Sequence, residues 1–208
     1  LSLHDALPIL ESLNGAISLQ PDIDLWEYLL VAHPNEETNT KILTERINFE
    51  NRYELENDKS FHPHITIANF LAKEQMEETF IRWIQNICNL HKSFTVTLNN
   101  YSGFPSSGLY LRVQTEEPFR KLANALKILD GFMQSNNCPP VKLVSEPHIT
   151  FVAGLSQYIF DNAVKEYSRK NFHESFKVEK LVLLKRDVYR KCQLVNTFIL
   201  PPPLTSFD

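Results

Sequence analysis

Two tetrapeptides in this sequence are identical. Pro63-His64-Ile65-Thr66 and Pro147-His148-Ile149-Thr150 both read P-H-I-T, and each is followed by an apolar residue, Ile67 or Phe151. They lie 84 positions apart, near half of the chain once its first residues are set aside. Such a match at corresponding points of two similar half-chains points to an internal duplication, with two lobes related by a pseudo-twofold. The flanking residues favour strands, and in a strand residues i and i+2 share a face. His64 and Thr66 therefore project one way while Ile65 and Ile67 enter the core. His148 and Thr150 stand in the same relation to Ile149 and Phe151.

The rest of the chain supplies strands and helices around both copies. Residues 26–32 and 64–68 read as strands, as do 94–98 and 109–113, with a turn at Ser102–Gly108 between the latter two. Residues 148–152, 176–184 and 193–200 read as three more. Asn35 is placed to cap a helix reaching about Phe49, ahead of an acidic loop at 50–60. Met76, Phe80, Ile84 and Ile87 recur at helical spacing over about 73–90, as do Phe119, Leu122, Leu126 and Leu129. Asn136 to Pro140 ends that second helix, and Ser156 is placed to cap another. Strands and helices without steady alternation give an α+β fold class.

Residues 1–20 are left out of this reading. Leu1 to Ile9 resembles a translated sequencing adapter, so 1–20 is expected to be a non-native or disordered segment, and 21–208 a single bilobed domain. No secretory signal is expected, because a basic start is missing and Asp5, Pro8 and Glu11 interrupt the stretch. No apolar run approaches the roughly 20 residues of a membrane span, so no membrane is expected as a partner. Cys88, Cys138 and Cys192 form no CxxC pair and suit a reducing cytoplasm. The net charge of −4 disfavours a protein that coats nucleic acid, but leaves room for one strand in a local basic cleft.

Two imidazoles and two hydroxyls around one cavity suit acid–base cleavage at phosphorus. One imidazole takes a proton from the attacking oxygen and the other gives one to the leaving oxygen. Histidine titrates near neutrality, so one ring can be neutral while the other is charged. The threonine hydroxyls can donate to non-bridging phosphate oxygens.

These paired H-x-T-apolar motifs resemble those of the two-histidine (2H) phosphoesterase superfamily. The segments Glu27–Val31, Pro63–Phe70 and Glu146–Thr150 look like its bacterial 2'-5' RNA ligase-like branch, over about 25–200. The resemblance implies a bilobed, LigT-like fold: two pseudo-symmetric antiparallel sheets with outer helices around a central cleft. It implies hydrolysis of 2',3'-cyclic phosphodiesters on RNA ends or small nucleotides, without metal or other cofactor. By position, His64 and His148 would be the catalytic pair, and Thr66 and Thr150 would bind phosphate. Which histidine is acid and which is base stays open. So do two rival readings, a non-catalytic nucleotide- or RNA-binding module of the same fold and a phosphoesterase for a non-nucleic cyclic phosphate. A monomer is expected.

The segment 165–191 holds nine basic residues against four acidic. It reads either as a wall for an RNA backbone or as a solvated face. Lys185 and Arg186 within it are the candidate phosphate contacts. Tyr110, Phe104 and Tyr28 are candidates for stacking on a base, with core packing the rival fate of Tyr28. His62 and Glu146 occupy matching positions before the two motifs and suit either a cleft rim or plain surface. His62 and His64 lack the further ligands a metal would need. His33, His91 and His173 fall near element ends and are expected at the surface.

Overall fold

The computed structural model describes residues 25–56, 60–104, 108–144, 146–186 and 192–203. The segment 1–20 and the tip of the Ser102–Gly108 turn lie outside these. Nine strands are present among the described residues: β1 (Leu25–Ala32), β2 (Ile65–Lys73), β3 (Phe94–Phe104), β4 (Gly108–Val113), β5 (Lys142–Leu143), β6 (His148–Ala153), β7 (His173–Val178), β8 (Lys180–Arg186) and β9 (Cys192–Ile199). Four helices accompany them: α1 (Glu36–Arg52), α2 (Glu77–Leu90), α3 (Glu117–Ser135) and α4 (Gln157–Tyr167). The architecture is α+β.

The strands run in the order β7-β3-β4-β6-β2-β1-β8-β9, with short β5 added against β2. Every pairing is antiparallel. Two four-stranded halves meet between β6 and β2, where the one register pair is Ile65 with Ile149. The expected two sheets are therefore joined into one at the repeated motif. The halves also interlock through their helices. The helix α1 leaves β1 of one half but packs on β6 and β7 of the other, while α3 leaves β4 and packs on β2 and α2.

Local chemistry accounts for the elements. Asn35 caps α1 by accepting the Thr38 amide on its side-chain oxygen at 3.0 Å. Phe80, Ile84 and Cys88 recur every fourth residue and are the buried stripe of α2. Leu122, Leu126, Leu129 and Met133, spaced four, three and four apart, form the buried stripe of α3. Ser156 caps α4, as its position foretold.

Several boundaries differ from the sequence reading, among them β3, which runs to Phe104 where an end at 98 is expected. The helix α1 continues to Arg52, because Arg46 and Glu50 pair inside the core and carry it into the acidic stretch. The strand read over 176–184 is two strands, β7 and β8, separated by Glu179 and lying toward opposite ends of the sheet. Their alternation runs on almost without a break, so periodicity alone does not reveal the crossing. The strand β2 extends to Lys73, five residues past its expected end.

A paired-histidine candidate active site

The register places both motifs on one face. Ile65 and Ile149 pair across the centre and are fully buried. One position to either side, His64 lies across from Thr150 and Thr66 across from His148. Residues opposite each other on antiparallel strands have Cβ atoms about 5 Å apart. By this register the four motif side chains fall on one face of the sheet, about a pseudo-twofold that passes between two isoleucines.

The backbone fixes both rings in the same way. His64 Nδ1 lies 2.8 Å from the carbonyl of His62, and His148 Nδ1 lies 3.0 Å from the carbonyl of Glu146. A carbonyl only accepts, so each Nδ1 carries the proton and each Nε2 is the nitrogen that exchanges one. The intervening Pro63 and Pro147 fix φ in the turn that presents these carbonyls. The matching positions 62 and 146 thus act through their backbone oxygens, while the side chains of both are exposed.

Two hollows adjoin His148. One of about 260 Å³ is lined by Thr66, Asn69, Phe104, Lys142, Glu146 and His148 among others. The second, about 210 Å³, is lined by Phe104, Tyr110, Arg112, Glu116, Glu146 and His148 among others. Phe104 and Tyr110 are stacked, with centroids 4.3 Å apart, and both meet the His148 ring edge to face, at 5.0 and 5.3 Å. The structure therefore brings these two aromatic candidates to the second motif. Gly108 makes that approach possible. A Cβ there would stand 2.0 Å from the Val152 carbonyl oxygen, so a side chain would push β4 away from β6.

The other candidates fare differently. Tyr28 is fully buried and donates to Glu77 Oε1 at 2.6 Å, stacked against Phe70. Burial, then the Glu77 contact, pushes its phenol well above the ordinary range. It is a core residue and cannot stack on a base. Lys185 is level with Tyr28 and shares that far face. Its ammonium donates to Glu77 at 2.9 Å and to Glu74, and lies 4.2 Å above the Trp26 ring. That side is opposite to the threonines, so Lys185 is not placed to hold a phosphate there.

Arg186 does share the threonine face, but it is 2% exposed and bound to Glu27, its Nε donating at 2.7 Å and its Nη2 2.6 Å from the same oxygen. Glu27 also accepts from Asn69, which lines the hollow at Thr66. Arg186 thus reaches the site as the far end of a side-chain chain, with its charge met by a carboxylate. Two exposed cations stand beside the site: Lys142, which lines the hollow at Thr66, and Arg112, paired in register with His148 and donating through Nε to the Asn99 carbonyl. The position of Arg112 opposite His148 follows from strand pairing, which the sequence reading did not contain.

His33 is another residue missed. Expected at the surface, it is half-buried, with its ring 6.2 Å from that of His64 and Nδ1 3.0 Å from the Pro63 carbonyl. Burial lowers its pKa below the ordinary histidine value, partly opposed by that backbone contact. Its place beside the first motif also follows from strand pairing: His33 lies two residues past Val31, which pairs with Thr66.

Comparison with known proteins agrees with this architecture. The sequence model of the 2'-5' RNA ligase superfamily matches residues 57–190, a span that contains both motifs. The chain belongs to that superfamily. No curated protein matches the sequence at a significant level. Among solved structures, a protein described as a phosphoesterase superposes with a TM-score of 0.63 at 17% identity, over 85% of this chain and 98% of that one. LigT of E. coli in its apo form gives 0.63 at 16% identity, over 86% and 99%. TT0787 of Thermus thermophilus gives 0.63 at 13% identity, over 85% and 98%. At these identities the likeness is one of fold. Crystal structures of E. coli LigT also exist with phosphate, NADP+, 3'-AMP and ATP.

Proposed function

We propose that this superfamily member hydrolyses 2',3'-cyclic phosphodiesters, on RNA ends or on nucleotides, with His64 and His148 as the acid–base pair. The observation that carries the reading is the matched tethering of the two rings. Each Nδ1 is held by a backbone carbonyl two residues upstream, which assigns proton transfer to Nε2 of each ring. Ligands of the LigT structures, which include phosphate and 3'-AMP, suit the same chemistry.

In the hydrolytic step, the Nε2 of a neutral ring takes a proton from water, whose oxygen attacks phosphorus in line. The P–O3' bond breaks, and the charged ring of the other histidine protonates the departing 3' oxygen. The product is a 2'-phosphate with a free 3'-hydroxyl, and the two rings have exchanged charge states. Thr66 and Thr150 donate their hydroxyl protons to the non-bridging oxygens. Arg112 supplies positive charge beside His148, and Phe104 and Tyr110 offer a base an aromatic face. In the reverse direction the same groups would form the ester, with their roles exchanged.

The test is product formation from a panel of 2',3'-cyclic nucleotides and a cyclic-ended oligonucleotide in EDTA, comparing the parent with His64→Ala. Conversion to a 2'-phosphate that is lost in the variant is the expected result. A folded parent that binds nucleotide but turns over nothing would refute the catalytic reading in favour of a binding module. Turnover confined to non-nucleic cyclic phosphates would refute the nucleotide substrate while retaining the chemistry.

A further inference from the structure

A larger hollow begins where the histidine site ends. It measures about 760 Å³, and His33, Ser93, Lys180, Val182, Ile199 and Pro202 are among its lining residues. Strand register ties it to the candidate site. Ala32 pairs with Ile65, so the next position sets His33 beside His64, in keeping with their 6.2 Å ring separation. Val31 pairs with Val182, so two positions on His33 is level with Lys180, which itself pairs with Ile199. Val31 also pairs with Thr66, which puts Val182 on the threonine face. Thr150, His64, His33, Lys180 and Ile199 therefore form one row across the sheet. At a strand spacing of about 4.8 Å, Lys180 is about 10 Å from His64.

The hollow sets an exposed cation beside an apolar wall. Lys180 is exposed and forms no ion pair among the described residues, whereas the nearby Glu179 is met by Lys177 at 2.7 Å. That leaves Lys180 as the uncompensated charge. Val182, Ile199 and Pro202 give an apolar wall, and Ile199 is 61% exposed. Ser93 is 4% exposed, and its Oγ has no hydrogen-bond partner among the described residues.

We propose that this hollow holds the nucleotide preceding the reacting one in an RNA chain, its phosphate on Lys180 and its base against Val182, Ile199 and Pro202. The inference rests on reading the His64–His148 site as a phosphoesterase of RNA ends, and it narrows the substrate to an oligonucleotide. His33 separates the two compartments. Burial disfavours its charged form, and the cation lining the hollow for a phosphate is Lys180.

Two measurements test it, with Lys180→Ala and Ile199→Asp, both at exposed positions. In the first, kcat/KM is compared for a cyclic mononucleotide and a cyclic-ended tetranucleotide. The parent should prefer the tetranucleotide, and each variant should lose about tenfold on it while keeping mononucleotide turnover within about twofold. Equal losses on both substrates, or no preference in the parent, would overturn the subsite. In the second, anisotropy follows binding of a fluorescent tetranucleotide ending in 3'-phosphate as salt is raised. Lys180→Ala should weaken binding and reduce the log–log salt slope by about 1. Identical affinity and slope would overturn the subsite even if the parent proved inactive, so its failure is distinguishable from failure of the catalytic reading.

Discussion

A histidine becomes a directed acid or base when one of its nitrogens is committed elsewhere. Here His62 and Glu146 supply the committing carbonyls, and Pro63 and Pro147 stiffen the turns that aim them. His64→Ala or His148→Ala should each lower turnover by about 10²–10⁴-fold, the range for a lost general acid or base. Thr66→Ala or Thr150→Ala should cost less, because one donor among several is removed. Steady-state kinetics on a cyclic nucleotide checks both expectations. His33 makes a different claim, about stability. Its pKa is lower in the folded chain than in the unfolded one, so below about pH 6.5 the unfolded chain binds more protons. Stability should therefore fall as pH drops below that value, and His33→Asn should flatten the decline. Urea midpoints at pH 7.5 and 5.5 for both proteins measure the difference.

At the scale of elements, one buried arginine ties the second motif strand to the segment that leads into the first. Arg46 on α1 donates from Nη1 to the Phe151 carbonyl at 2.7 Å and from Nε to Glu50 at 2.7 Å, with its guanidinium 3.9 Å from the Phe61 ring centroid. Phe61 precedes the first motif and Phe151 ends the second. Arg46→Met should destabilise the protein by about 3–5 kcal/mol, since the Glu50 carboxylate is left buried without its partner. Adding Glu50→Leu should restore much of that, as chemical denaturation would show. Gly108→Ala belongs at this scale too. It forces β4 off β6 and should cost about 1–3 kcal/mol while drawing Tyr110 away from His148.

What the sequence revealed at this scale follows a simple physical division. The repeated motif, the helix caps and the inward isoleucines are local patterns, and the strands and helices formed around them. Whether Lys185 or Arg186 faces the threonines depends on which side of β8 is covered, and alternation says only that they differ. The neighbours of His148 and His64, namely Arg112 and His33, come from strands paired over long sequence distances. No spacing within one segment contains that information.

At the scale of the molecule, duplication and interlocking explain why the site lies where it does. Each half carries one H-x-T strand, and neither strand alone presents more than one histidine and one threonine from its motif. The site exists only where the halves meet at Ile65 and Ile149. The exchange of α1 and α3 between halves ties that junction into the common core. In the proposed mechanism the two rings act as one acid and one base. The pH dependence of kcat/KM on a 2',3'-cyclic nucleotide tests it most directly. A bell-shaped profile is expected, with His64→Ala and His148→Ala each removing a different limb. A profile with one limb, or a limb unaffected by both substitutions, would contradict it.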